Sequence, residues 1–267
     1  MSLKKALLIG INYRGTANEL GGCINDVNSM KNILIKRCGY KEKNILVLTD
    51  NTFHKPTTQN IIQAFKWLVS QSPASDYKKS YVPLTQPAFL FFHYSGHGGQ
   101  IIDQNKDEID GLDEVICPID FAKSGCLTDD ILRQYLVNLI PSNSQLICVI
   151  DACHSESSFD LIWTCRSNPD GTCQTVNCSQ YLPTSSLVVM LSGCRDEQTS
   201  ADIVINNVGQ GALTYALLQT LKKYNYTLTW QQLLIDTYYF IRVNNLSLQM
   251  PCLSFGKEVL LNAKVVF

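Results

Sequence analysis

Residues 145–155, QLICVIDACHS, constrain this chain more than any other stretch. Residues 146–150 form an unbroken apolar run rich in branched side chains. Such a run suits a strand buried on both faces, as in a parallel sheet. It stops at Asp151-Ala152-Cys153-His154-Ser155. A thiol therefore sits just past the carboxyl end of a core strand, where open α/β sheets place their ligands. The competing reading is one more structural thiol among eleven cysteines.

Residues 88–94 (AFLFFHY) repeat the design, and Ser95-Gly96-His97-Gly98-Gly99 follows at once. If the two strands lie side by side and parallel, Cys153 and His97 project from the same edge. A thiolate that attacks and an imidazole that carries the proton are the minimum for covalent acyl transfer. Three other histidines compete. His54 lies in a loop, and His93 sits inside the strand as a packed core residue. His154 adjoins Cys153, and neighbouring side chains of an extended chain point apart. His97 alone occupies a glycine-rich turn at a strand end.

Cys153 follows His97 by 56 residues (153 minus 97). Caspases carry their histidine about 50 residues upstream of the cysteine. YSGHGGQ at 94–100 with DACHS at 151–155 resembles a metacaspase, a calcium-dependent, caspase-related cysteine peptidase that cuts after Arg or Lys. Further matches are INYRG at 11–15, GCINDV at 22–27, SGCRDEQTSAD at 192–202, GALTYAL at 211–217 and QMPCLS at 249–254. The likeness covers nearly the whole chain. It implies a caspase-like three-layer α/β sandwich, a monomer, and protein or peptide substrates with a basic residue before the cut. The rival is a proteolytically inactive scaffold of the same fold, against which the intact Cys–His pair argues.

Composition narrows the rest. A chain of 267 residues fits one large α/β domain or two small ones. No boundary is visible, so a single domain over 1–267 is expected. A net charge of −1 gives no reason to expect a nucleic-acid partner. No apolar run approaches the roughly 20 residues that span a bilayer, so no membrane partner is expected. The basic start and residues 6–11 read as a first core strand rather than a signal peptide. No long segment precedes Lys5, so the pro-segment of many type I members is expected to be missing. An odd cysteine count, with Cys117 and Cys148 inside apolar runs, points to reduced thiols and a cytoplasmic location. Cys165, Cys173 and Cys178 share a polar loop but lack a CxxC pair or a histidine, so zinc is not expected there. No GxGxxG or P-loop follows a strand, which leaves a nucleotide-binding module far behind.

Along the chain, strands are expected at 5–10, 44–49, 88–94, 115–119, 145–150, 187–191 and 259–261. Helices are expected at 26–37, from Thr57 or Thr58, from Thr128, at 211–223 and at 229–243. Alternating strands and helices imply a mainly parallel sheet covered on both faces. Residues 155–185 show no period.

Three constellations surround the Cys–His pair. Gly96, Gly98 and Gly99 allow positive φ and close approach to a substrate. The N–H groups of Gly98 and Cys153 are candidates to hold an oxyanion, although a plain tight turn explains the glycines equally. By resemblance, Asp26 and Asp151 form an acidic S1 pocket lined by Cys23 and Ser95, suited to a guanidinium or ammonium. Alone, Asp26 reads as a first-turn helix acid.

The third constellation is acidic. Residues 103–114 carry six carboxylates against one lysine. Together with Thr128-Asp129-Asp130 they suit a hard cation or a solvated loop. DQNKDEIDG is not an EF-hand loop, because Glu108 stands at the sixth place. The resemblance selects Asp113, Asp129, Asp130 and Asp160 as ligands of Ca2+. Glu156 replaces the glycine that follows CHS in many members, and Arg166 is a candidate self-cleavage site.

Overall fold

The structure is a computed structural model. It describes residues 2–79, 81–106, 108, 110–153, 155–168, 170–193, 202–205 and 208–267. Asp107, His154, Cys194 and the rest of the 194–201 segment lie outside the described residues.

The chain begins with β1 (Leu3–Gly10), α1 (Cys23–Arg37), β2 (Ile45–Thr49) and α2 (Thr58–Leu68). The Thr57 hydroxyl caps α2 by accepting the Asn60 N–H. Next come β3 (Ala88–Ser95), β4 (Gly98–Ile102), β5 (Leu112–Ile116), α3 (Phe121–Ser124), β6 (Leu127–Thr128) and α4 (Asp129–Tyr135). Thr128 caps α4 through the Ile131 N–H, as its sequence predicts. β7 (Gln145–Asp151), β8 (Trp163–Ser167), β9 (Cys173–Asn177) and β10 (Leu187–Ser192) follow. The chain ends with β11 (Asp202–Ile205), β12 (Val208–Gly211), α5 (Ala212–Lys223), α6 (Trp230–Val243) and β13 (Cys252–Phe255).

Eight strands form the central sheet in the order β2-β1-β3-β7-β10-β13-β8-β9. The neighbours from β2 to β10 pair in parallel. β13, β8 and β9 extend the sheet antiparallel. Side chains alternate between two cores, which makes three layers. Leu7, Ile9, Phe92 and Ile150 pack with Ile61 and Phe65 of α2 and Leu132 of α4. Ala6, Leu8, Phe91 and Val149 pack with Val27 of α1, Leu217 of α5 and Leu234 of α6. Each fully buried aliphatic side chain contributes about 1.5–3 kcal/mol. The expected three-layer α/β architecture is therefore present.

Lys5 is the unusual core residue, at 1% exposure. Its Nζ donates to the carbonyls of Trp67 (2.5 Å), Ser70 (2.6 Å) and Ser72 (3.1 Å). It thus satisfies acceptors at and just past the carboxyl end of α2, while burial lowers its pKa to about 7.

Three expectations need correction. The segment after His97 is the strand β4, paired with β5, rather than the start of a loop. Its glycines and polar residues hid a strand whose partner lies across the acidic segment. Residues 155–185 contain β8 and β9, strands too short and polar to show a period. The last strand is β13, not 259–261. The latter segment instead gives its Leu261 carbonyl to the Gln231 N–H, one of the donors that the start of α6 leaves open.

Among the described residues no helix is long and apolar enough to cross a membrane. The ten described cysteines are all unbridged.

Candidate active site

β3 and β7 are parallel neighbours, with Ser95 opposite Asp151. His97 and Cys153 each lie two residues past that pair, so both sit at the carboxyl edge of the sheet. Their turns touch: the Gly96 N–H donates to the Asp151 carbonyl at 3.4 Å. A β-carbon built at Gly98 would stand 2.4 Å from the Cys153 carbonyl oxygen. Cys153 is half-buried.

His97 is held from several sides. Its Nε2 is 2.8 Å from the Asn18 carbonyl. A carbonyl only accepts, so Nε2 carries a hydrogen, and in the neutral ring Nδ1 is the nitrogen with a free lone pair. The Tyr13 ring lies 4.7 Å from the imidazole, centroid to centroid. The His97 N–H donates to Tyr13 Oη (3.0 Å), and Tyr94 Oη donates to the His97 carbonyl (2.7 Å). Tyr13 Oη also donates to the Cys117 carbonyl at 2.6 Å. Burial pushes the Tyr13 and Tyr94 phenols up, so both stay protonated donors. Sequence reasoning missed Tyr13 and Asn18, although Tyr13 lies in the quoted INYRG segment.

Gly96, Gly98 and Gly99 are absent from the positive-φ residues, so none of them uses glycine's left-handed freedom. Gly96 and Gly98 are needed for close approach within the protein itself, while Gly99 has only ordinary contact space beside it. A β-carbon at Gly96 would meet the Tyr94 hydroxyl oxygen at 2.7 Å.

The acidic pair assembles at the start of α5. Ser95 Oγ donates to Asp26 Oδ2 at 2.7 Å. The Gly211 N–H lies 3.0 Å from both Asp26 oxygens, and the Thr214 N–H donates to Asp151 Oδ2 at 2.8 Å. Asp26 and Asp151 are 1% and 4% exposed. Carboxylates at a helix amino end gain from its dipole and open N–H groups. Cys23 opens the helix that carries Asp26 and is buried. The sequence did not expose Gly211 and Thr214 as donors; the only signal was the glycine of GALTYAL.

The second acidic group surrounds Asp129. Carboxylate oxygens of Asp113, Asp129 and Asp130 lie within 4.8 Å of one another, and so do those of Glu108, Asp129 and Asp160. Asp129 is common to both groups, which between them hold the four expected ligands and Glu108. Burial, then Asp160 and Asp113, raise the Asp129 carboxyl to about 8. The Glu114 and Asp130 N–H groups each donate to it at 2.8 Å. Every donor is a hard oxygen, which fits calcium or magnesium. A buried carboxylate cluster carries a charge cost that such a cation offsets.

Glu156 is not a loose charge beside the nucleophile. It is buried and pairs with Arg166 Nε at 2.5 Å. Arg166 lies in β8, paired with Cys252 on one side and Gln174 on the other.

A family model described as "Metacaspase, peptidase C14 domain" matches residues 4–162. The chain is 34% identical to Metacaspase-1 of Schizosaccharomyces pombe over 98% of its length and 69% of the relative's. It is 34% identical to Metacaspase-1 of Meyerozyma guilliermondii, with 82% and 62% covered. It is 35% identical to Metacaspase-2 of Arabidopsis thaliana, with 82% and 52% covered. The chain thus spans about half to two thirds of the length of such relatives. A crystal structure of a Geobacter sulfurreducens protein shares the fold, with TM-score 0.65, 22% identity, and 98% and 97% of the two chains covered.

Proposed function

The chain belongs to the metacaspase family of cysteine peptidases, and from that membership we propose a calcium-dependent endopeptidase that cuts protein chains after Arg or Lys. The observation that carries this is the Ser95–Asp151 register, which sets His97 and Cys153 at one sheet edge beside the buried acids. His97 Nδ1 takes the thiol proton while Asn18 holds Nε2–H. Cys153 Sγ attacks the peptide carbonyl, and the N–H groups of Gly98 and Cys153 hold the oxyanion. His97 then protonates the leaving amine, and water hydrolyses the thioester.

Asp26 and Asp151 select the basic side chain, because acids withdrawn from water gain most from a guanidinium fork or an ammonium. Asp113, Asp129, Asp130 and Asp160 would hold calcium, with Glu108 adjoining. A cation held there would offset the mutual repulsion of these carboxylates. The enzyme works as a cytoplasmic monomer.

The test is turnover of Arg- and Asp-terminated peptide reporters, in calcium and in chelator, by wild type and Cys153→Ala. Calcium-dependent Arg turnover lost in Cys153→Ala is expected. Preference for the Asp reporter, equal rates in chelator, or an active Cys153→Ala enzyme overturns the reading.

A further inference from the structure

His93 takes no part in the chemistry above, yet it is fully buried inside β3, two residues before Ser95. Strand alternation puts both side chains on the face covered by α1 and α5. His93 Nε2 is 3.1 Å from Thr214 Oγ1. The Thr214 N–H in turn donates to Asp151 Oδ2 at 2.8 Å. Nδ1 of His93 has no hydrogen-bond partner among the described residues. The ring is neutral, since burial lowers its pKa to about 3. With its one hydrogen assigned to the engaged nitrogen, Nε2–H donates to the Thr214 hydroxyl.

A histidine here is costly. Its strand neighbours are Leu8 and Val149, and an apolar side chain would leave no bare nitrogen in the core. What it adds is one directional link between the sheet and the first turn of α5. That turn supplies the donors to both acids, from Gly211 to Asp26 and from Thr214 to Asp151.

We propose that His93 and Thr214 are positioning residues of the specificity pocket, pinning the start of α5 to β3 so that Asp26 and Asp151 stay aimed at a basic side chain. The inference rests on the reading of those acids as the basic-residue pocket. It touches neither Cys153 nor His97, so its mark is on substrate binding rather than turnover.

The test measures kcat and KM separately for an Arg reporter in calcium, on wild type, His93→Leu, His93→Gln and Thr214→Val. His93→Leu and Thr214→Val are expected to raise KM about three- to tenfold with kcat nearly unchanged, the size of one lost hydrogen bond. His93→Gln, which keeps an N–H donor, is expected to recover most of the loss. Unchanged KM in both His93→Leu and Thr214→Val overturns the inference, as does a glutamine variant no better than leucine. If His93→Leu does not fold, Thr214→Val decides. A wild type without Arg or Lys preference removes the pocket reading and this inference together. A basic preference beside unaltered variants removes the inference alone.

Discussion

Gly98 is packed against the Cys153 carbonyl so closely that a β-carbon at 98 would stand 2.4 Å from that oxygen. The contact joins the histidine turn to the cysteine turn through backbone, which no rotamer change relieves. Gly98→Ala must push the two turns apart. Misplacement on the scale of 1 Å costs about 100-fold in rate. We expect a kcat loss of about that size on an Arg reporter, with circular dichroism unchanged; a wild-type rate would show that the turns separate freely.

Gly211 makes the same kind of demand at the acidic pair. A β-carbon there would lie 2.2 Å from Asp151 Oδ2 and 2.8 Å from Asp26 Oδ2. Gly211→Ala is expected to displace both acids and to depress kcat/KM for Arg reporters by about tenfold or more, a free-energy change of about 1.4 kcal/mol. Steady-state kinetics across Arg, Lys and neutral reporters checks whether the loss is confined to basic ones.

The Asp129 cluster should govern the calcium response. Asp129→Ala with Asp130→Ala removes two hard oxygen donors and leaves Cys153 and His97 in place. We expect calcium binding by titration calorimetry to vanish in the double variant and turnover to become equal in calcium and chelator. A preserved calcium response would place the ion elsewhere.

Lys5 should matter for stability alone. Its amino group serves three buried carbonyls at the end of α2, and Lys5→Met leaves all of them without this donor. The expected cost is about 3 kcal/mol, read as a lowered denaturation midpoint. A variant within about 0.5 kcal/mol of wild type would show that water reaches those carbonyls.

His93 predicts a pH dependence of folding. Burial lowers its pKa from 6.5 to about 3, so the folded state resists protonation that the unfolded chain accepts. The stability this group supports is present above pH 6.5 and drains away as pH falls toward 3. Between 6.5 and 5 the loss is on the order of 2 kcal/mol. Urea denaturation of wild type and His93→Gln at both pH values should show a shallower acid decline in the variant.

The parts of the molecule that were legible in the sequence are those written in local pattern. The buried strands β3 and β7 announce themselves as apolar runs, and each ends in a polar turn that carries chemistry. Capping by Thr57 and Thr128 is equally local. What stayed hidden is relational. Gly211 and Thr214 become meaningful only beside acids at positions 26 and 151. Tyr13 matters because the fold lays its ring on His97. β4 reads as loop because its partner closes an acidic segment, and Arg166 of β8 pairs with Cys252, 86 residues later (252 minus 166). Of the two reasons the sequence offered for the glycines of the histidine turn, handedness is not used, and at Gly96 and Gly98 the room they supply is for the protein's own atoms.

Asp151 closes the ladder of β7 and lies two residues from the sulfur-bearing position. Its carboxylate is moored to a helix, and its backbone carbonyl to the histidine turn. The residue that closes the strand is thus anchored on two sides, by its side chain to one element and by its main chain to another, and the sulfur two positions on starts from a fixed point.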